Sequence, residues 1–206
     1  TTYLSAPWDS AWSARSWSKP RAINGGSSYF NALAMDNQGA LHILWNEAIS
    51  DDPKGPKPIC SFCADLFYRH SSDGGKSWSA PINLSQSLEG SVKQQIKVDR
   101  QNYLHVVWEE GFDWYASQGQ PTAGVYRRSR DGGQSWDAPV RFTLPALIPQ
   151  QPISTPTSDA TPVPTPAPIP DAPRQMTIGL YQNRAPLVVY RGNVTDKLYY
   201  QFSEDQ

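Results

Sequence analysis

Ser71-Ser72-Asp73-Gly74-Gly75-Lys76-Ser77-Trp78 recurs as Ser129-Arg130-Asp131-Gly132-Gly133-Gln134-Ser135-Trp136, and this repetition decides the fold. Each block follows an aromatic-basic strand, Leu66-Phe67-Tyr68-Arg69 or Val125-Tyr126-Arg127-Arg128, and a proline stands three residues after each Trp, at Pro81 and Pro139. A third copy begins at Tyr199-Tyr200-Gln201-Phe202-Ser203-Glu204-Asp205. A decayed one near the start keeps only Ser16-Trp17-Ser18-Lys19-Pro20, which predicts a lone outer strand over 17–23.

A second unit alternates with the first: Asp36-Asn37-Gln38-Gly39-Ala40-Leu41-His42-Ile43-Leu44-Trp45, then Asp99-Arg100-Gln101-Asn102-Tyr103-Leu104-His105-Val106-Val107-Trp108, and more weakly 181–190. Strand, Asp/Asn/Gly turn, strand is the grammar of a hairpin. No helical period of useful length appears. The spacing predicts strands over 28–35, 40–47, 65–71 and 78–84, then 92–98, 103–109, 124–129 and 136–142, then 175–181, 186–191 and 197–203. The chain reads as an all-β repeat of about three four-stranded antiparallel units, with His42 and His105 at equivalent packing positions.

The eight-residue block resembles the Asp-box, or bacterial neuraminidase repeat, of the sialidase-like β-propeller superfamily. The resemblance implies propeller blades, here an incomplete propeller or one completed by partner chains. In the box, Ser71, Asp73, Gly75 and Trp78, with Ser129, Asp131, Gly133 and Trp136, are a folding device. The carboxylate accepts turn N–H groups, the glycine supplies angles other residues avoid, and the Trp packs the outer strand. A sialidase also needs three arginines, a Tyr–Glu pair and an Asp, with the first arginine in Arg-Ile-Pro. That tripeptide is absent, and Arg21 in Lys19-Pro20-Arg21-Ala22-Ile23 lacks it, so no catalytic residue is carried over.

Composition excludes several other functions. Eighteen basic and nineteen acidic side chains give a net charge of −1, which leaves no basic field for nucleic acid or a membrane surface. No apolar run is long enough to insert in a membrane as a helix. Eight Trp, ten Tyr and six Phe supply a core made of rings. No phosphate loop, serine elbow or metal-ligand set occurs, so neither cofactor nor metal is expected. The two cysteines, Cys60 and Cys63, sit among prolines and glycine and read as a loop-stapling disulfide. With the sequons at Asn83 and Asn193 as glycosylation candidates, they suggest an extracellular or cell-surface protein.

Three divisions follow: blades over 1–142, a Pro/Thr-rich insertion or hinge over 143–173 holding ten of the 19 prolines, and a third blade over 174–206. In a four-stranded meander the repeated turns share one face, which puts the long connections on the other, where function is expected. They carry Phe62 in the first and Glu110, Phe112, Trp114 and Tyr115 in the second, aromatic and acidic groups suited to stacking on a sugar and bonding its hydroxyls. Carboxylates Glu47, Glu109 and Glu110 end strands on that face, where a retaining pair is conceivable. The reading places first a non-catalytic propeller that binds glycans or surface proteins or assembles as a structural subunit. A sialidase or other glycoside hydrolase comes second. The spare outer strand at the start and the missing one after Asp205 suggest completion by other copies of itself or by the rest of a longer chain.

Overall fold

A computed structural model describes residues 1–48, 63–112, 119–147 and 169–203. Among them there is no α-helix, only a 3-10 turn at Ala14–Ser16. Two four-stranded antiparallel meanders form the middle. The first blade joins β3 (Ser28–Met35), β4 (Leu41–Ala48), β5 (Ala64–Ser71) and β6 (Ile82–Asn83). The second joins β7 (Gly90–Val98), β8 (Leu104–Phe112), β9 (Gln120–Ser129) and β10 (Val140–Phe142), and a third has β13 (Pro173–Tyr181), β14 (Ala185–Gly192) and β15 (Leu198–Phe202). The described residues therefore form antiparallel blades of the β-propeller kind.

The outer strands are shorter than their expected spans, 78–84 and 136–142. After Trp78 and Trp136 the chain keeps one backbone bond to its neighbour, Ser79 N to His70 O or Asp137 N to Arg128 O. Pro81 and Pro139 then interrupt the ladder, since proline has no N–H to give it. The ends of the Pro-rich stretch also pair with each other, β11 (Leu144–Leu147) against β12 (Ile169–Asp171), so the chain leaves and re-enters at one place.

The N-terminus corrects the expectation of a lone outer strand. β1 (Thr2–Tyr3) pairs with β2 (Arg21–Ala22), forming the outer half of a further blade. Its bonds repeat those of the first blade: Ser18 N donates to Ser5 O and Ser5 N to Ser18 Oγ, as Ser79 N does to His70 O and His70 N to Ser79 Oγ. Tyr3 and Ile23 thus stand where Tyr68 and Leu84 stand one blade later. The seventeen residues between β1 and β2, 4–20, stand in place of the Gly-Gly turn, and they leave Trp8 and Trp12 exposed.

Three apolar layers join these units. Ile23, Ile43 and Trp45 with Tyr3, Phe67 and Trp78 lie between the N-terminal hairpin and the first blade. Leu44, Leu66, Tyr68, Leu84, Ile96, Leu104, Val106, Trp108 and Val125 fill the next interface. Val107, Met176, Ile178, Val188 and Tyr190 fill the last.

The repeated turns are built alike. Ser71 Oγ donates to Asp73 Oδ1 at 2.8 Å and accepts Gly75 N at 2.8 Å, while Asp73 accepts Ser77 N at 2.9 Å and Ser77 Oγ at 2.6 Å. Ser129, Asp131, Gly133 and Ser135 repeat this with Ser129 fully buried. The Ser135 hydroxyl, then the Ser135 N–H, lower the Asp131 carboxyl to about 2. Gly75 and Gly133 have φ of +84° and +90°, and a Cβ there would overlap the Tyr3 ring or the Tyr68 hydroxyl. Each Tyr reaches the carbonyl of the preceding glycine, Gly74 or Gly132, at 3.2 Å.

Ser129→Ala is expected to leave the buried Gly133 N–H without an acceptor and to cost about 1–3 kcal/mol, read from the urea midpoint at unchanged slope. Asp131→Ala should lower the midpoint too. A midpoint unchanged in both variants would show the turn network to be dispensable.

Candidate ligand-binding site

Inner strands β3, β7 and β13 lie side by side, and each breaks its ladder near its start. Register shifts fall between Tyr29 and Asn31, Val92 and Gln95, and Arg174 and Thr177. Inside them Phe30, Lys93 and Gln175 have φ of +39°, +56° and +52°. Three non-glycine residues at matching positions occupy a region that costs an L-residue of order 1 kcal/mol or more, so surrounding bonds must hold them. Those bonds run between blades. Gln94 Nε2 donates to Phe30 O at 2.9 Å and Gln95 Nε2 to Met176 O at 3.1 Å, while Gln95 Oε1 accepts Ile178 N at 3.2 Å. Bulges of this kind re-aim side chains. Phe30 is 43 % exposed, the Lys93 side chain 40 %, and Gln175 is exposed, all at the strand ends that carry the long connections.

Carboxylates lie behind this row. Glu109 is wholly buried, meets Lys93 Nζ at 3.2 Å and accepts Met176 N at 3.2 Å, so it braces the third blade's bulge. Asn46, its counterpart in the first blade, donates to Ser91 O. Glu110 points the other way, because successive strand residues face opposite sides of a sheet. Its oxygens accept Ser87 Oγ at 2.8 Å, Ser91 Oγ at 3.0 Å and Trp108 Nε1 at 2.5 Å, as Glu47 accepts Trp45 Nε1 at 2.8 Å. Burial pushes the Glu110 carboxyl up against these donors. Glu109 and Glu110 therefore face opposite sides of the second blade.

Of the residues expected here, Glu110 is enclosed in the second blade rather than presented to solvent. Phe112 ends β8 opposite Gln120. Phe62, Trp114 and Tyr115 lie outside the described residues, as does Cys60. Cys63 is buried, with its Sγ 3.0 Å from the Leu88 carbonyl oxygen. Asn83 gives its Nδ2 to Asp65 at 2.6 Å and Asn193 gives its own to Gln120 at 2.5 Å, so both sequon amides are already engaged. Among the described residues no group of three metal-ligating side chains occurs. The bulged residues were missed because left-handed backbone is written in sequence only where glycine marks it; the aligned positions Phe30 and Lys93 share no chemistry.

Two histidines near the turn face are structural. His42 Nε2 donates to Asp36 Oδ2 at 3.3 Å and Nδ1 lies 2.7 Å from Tyr68 OH; His105 repeats this with Asp99 at 3.2 Å and Tyr126 at 2.8 Å. Burial lowers both imidazole pKa values against the pull of the aspartates.

No protein-family model matches the chain, and no curated protein matches it in sequence. Among solved structures, a protein of unknown function from Dyadobacter fermentans DSM 18053 superposes with a TM-score of 0.53 at 14 % identity, over 92 % of this chain and 52 % of that one. The Hadza microbial sialidase Hz136 gives 0.49 at 14 % over 87 % and 35 %, and a variant of NanB sialidase from Streptococcus pneumoniae gives 0.48 at 9 % over 87 % and 43 %. The chain spans about half or less of the length of these proteins. At such identities the likeness is one of fold.

Two outcomes are expected. Glu109→Ala should strand the Met176 N–H and cost on the order of 3 kcal/mol in urea unfolding, whereas Glu109→Gln, still able to accept that bond, should cost less. Because His42 and His105 have folded pKa values below their unfolded value of about 6.5, the unfolded chain binds protons first. Their stabilisation is complete above that pH and is lost as pH falls toward the folded values. Melting temperature should drop between pH 7 and 5, and the drop should shrink in the double His42→Gln, His105→Gln variant.

Proposed function

We propose that this chain is the ligand-binding part of an extracellular β-propeller protein that recognises a glycan on its loop-bearing face without hydrolysing it. The observation that carries the reading is the row of bulges at Phe30, Lys93 and Gln175. An aromatic face, an ammonium and an amide are held there in costly backbone conformations by bonds between blades. A ring suits the apolar face of a sugar, the amide suits its hydroxyls, and the ammonium suits a carboxylate or a hydroxyl. Phe62, Phe112, Trp114 and Tyr115, which the sequence reading assigns to ligand contact, would extend the surface in this reading. A binding role is favoured over hydrolysis by the opposed directions of Glu109 and Glu110 and by the absence of the Arg-Ile-Pro motif. Cys60 with Cys63, and the two sequons, support export; the Asp-box reading of the two Gly-Gly turns supports the sialidase-like family.

A second reading, assembly with other copies or with the remainder of a longer chain, is favoured by β15. Among the described residues it pairs only with β14, and Leu198, Tyr200 and Phe202 are 77, 74 and 43 % exposed. A strand edge with such side chains is ordinarily covered.

On a glycan array the chain is expected to bind, and the double variant Phe30→Ala, Lys93→Ala to lose at least tenfold in affinity while its circular dichroism at the assay temperature stays that of the folded parent. Binding undiminished in that variant would rule out the bulge row. Turnover of a fluorogenic sialoside by the unaltered chain would replace the binding reading with the enzymatic one.

A further inference from the structure

The first two blades also enclose a cleft of about 420 Å³ on the opposite face, where the tight turns are. Its walls come from four turns: Asp36–Ala40 and Ser72 of the first blade, and Gln101–Asn102 and Arg130–Gln134 of the second, with His42 and His70 at the base. The volume falls in the range of small-molecule sites.

The lining divides into groups the fold has used and groups it has not. Asp36 accepts Gln38 N, Ala40 N, His42 Nε2 and Asn102 Nδ2. Burial works to raise its pKa, but these donors lower it, so it stays ionised. Asp131 is engaged within its own turn. By contrast the Gln38 and Gln101 amides and the Ser72 hydroxyl make no side-chain hydrogen bond among the described residues. His70 stands apart most clearly. Among the described residues its Nδ1 is buried without a hydrogen-bond partner, and its ring lies beside those of His42 and Tyr68, at centroid distances of 6.3 and 6.1 Å. In the second blade the same position is Arg128, tied to Asp137 at 3.1 Å. Where one blade places an ion pair, the other leaves a ring that lines the cleft and whose Nδ1 no group among the described residues has claimed.

Charge and hydrogen-bonding capacity select the ligand class. Asp36 and Asp131 are anionic, and Arg130, the one Lys or Arg among the described lining residues, is shared with Asp137 at 3.4 Å, which disfavours an anion. The unclaimed amides and hydroxyl can each both donate and accept, and a sugar hydroxyl does the same. We propose that this cleft binds a neutral saccharide unit, as a site separate from the bulge row and independent of it. Four turns fixed by their own hydrogen bonds make its walls rigid before the ligand arrives.

The test is saturation-transfer NMR on the full chain with the methyl glycosides of glucose, galactose, mannose and N-acetylglucosamine, and with acetate as an anionic control. At least one glycoside is expected to receive saturation and to shift the His70 ring resonances. The double variant Gln38→Ala, Gln101→Ala, at exposed positions that leave the turns intact, should weaken this at least fivefold, and Phe30→Ala, Lys93→Ala should not. Transfer to none of the glycosides would overturn the proposal, as would transfer to acetate with a His70 shift. So would glycoside binding that the bulge-row variant abolishes and the cleft variant leaves unchanged, since that places the sugar on the other face.

Discussion

A tyrosine of one blade resting on the glycines of the next blade's turn is the contact on which the architecture depends. Tyr68 can lie over Gly133 only because that residue has no Cβ, and Gly133 keeps its left-handed angle only because Ser129 and Asp131 hold the turn closed. Trp136 then closes on the same Tyr68 ring edge-on, with centroids 5.1 Å apart, as Trp78 closes on Tyr3 at 5.7 Å. His42, oriented by Asp36, fixes the Tyr68 hydroxyl from behind. The turn is therefore an interface between blades as well as a local fold device. Arginines reinforce it: Arg127 donates to Leu84 O and Arg69 to Ile23 O, each reaching the outer strand of the preceding unit.

This arrangement fixes what each face can do. On the turn face, rigidity comes from bonds within and between turns, so the cleft there is bounded by backbone held in place. On the other face the inner strands are stitched by Gln94, Gln95 and Glu109, and strain is concentrated at one residue per strand. The substitution of Glu109 for Asn46 at matching positions changes what the stitch can accept. Asn46 donates to a carbonyl of β7, while Glu109 accepts an N–H of β13 and holds Lys93 as well.

The extra outer half-blade at the N-terminus obeys the same rules with weaker sequence. Tyr3 performs for Gly75 what Tyr68 performs for Gly133, although β1 has only two residues. No strand in the place of β4 pairs with β1 among the described residues, so no histidine stands behind Tyr3 there. Leu33 and Met35 of β3 are accordingly 55 and 66 % exposed, whereas Ile96, the counterpart of Leu33, is 5 % exposed beneath the first blade.

Periodicity alone determined the all-β class, the hairpins, the position of nearly every inner and middle strand, and the structural character of His42 and His105. These depend on local side-chain alternation and on turns whose residues announce their angles, and both are written in consecutive letters. Tertiary structure alone decided that Tyr3 begins a paired outer half-blade, that Glu109 and Glu110 serve opposite interfaces, and that Phe30, Lys93 and Gln175 bulge. It also decided that His70 is left facing a cleft. Each of these outcomes is set by a partner on another blade, 60 or more residues distant in most cases, and no local pattern records which neighbour will supply the bond.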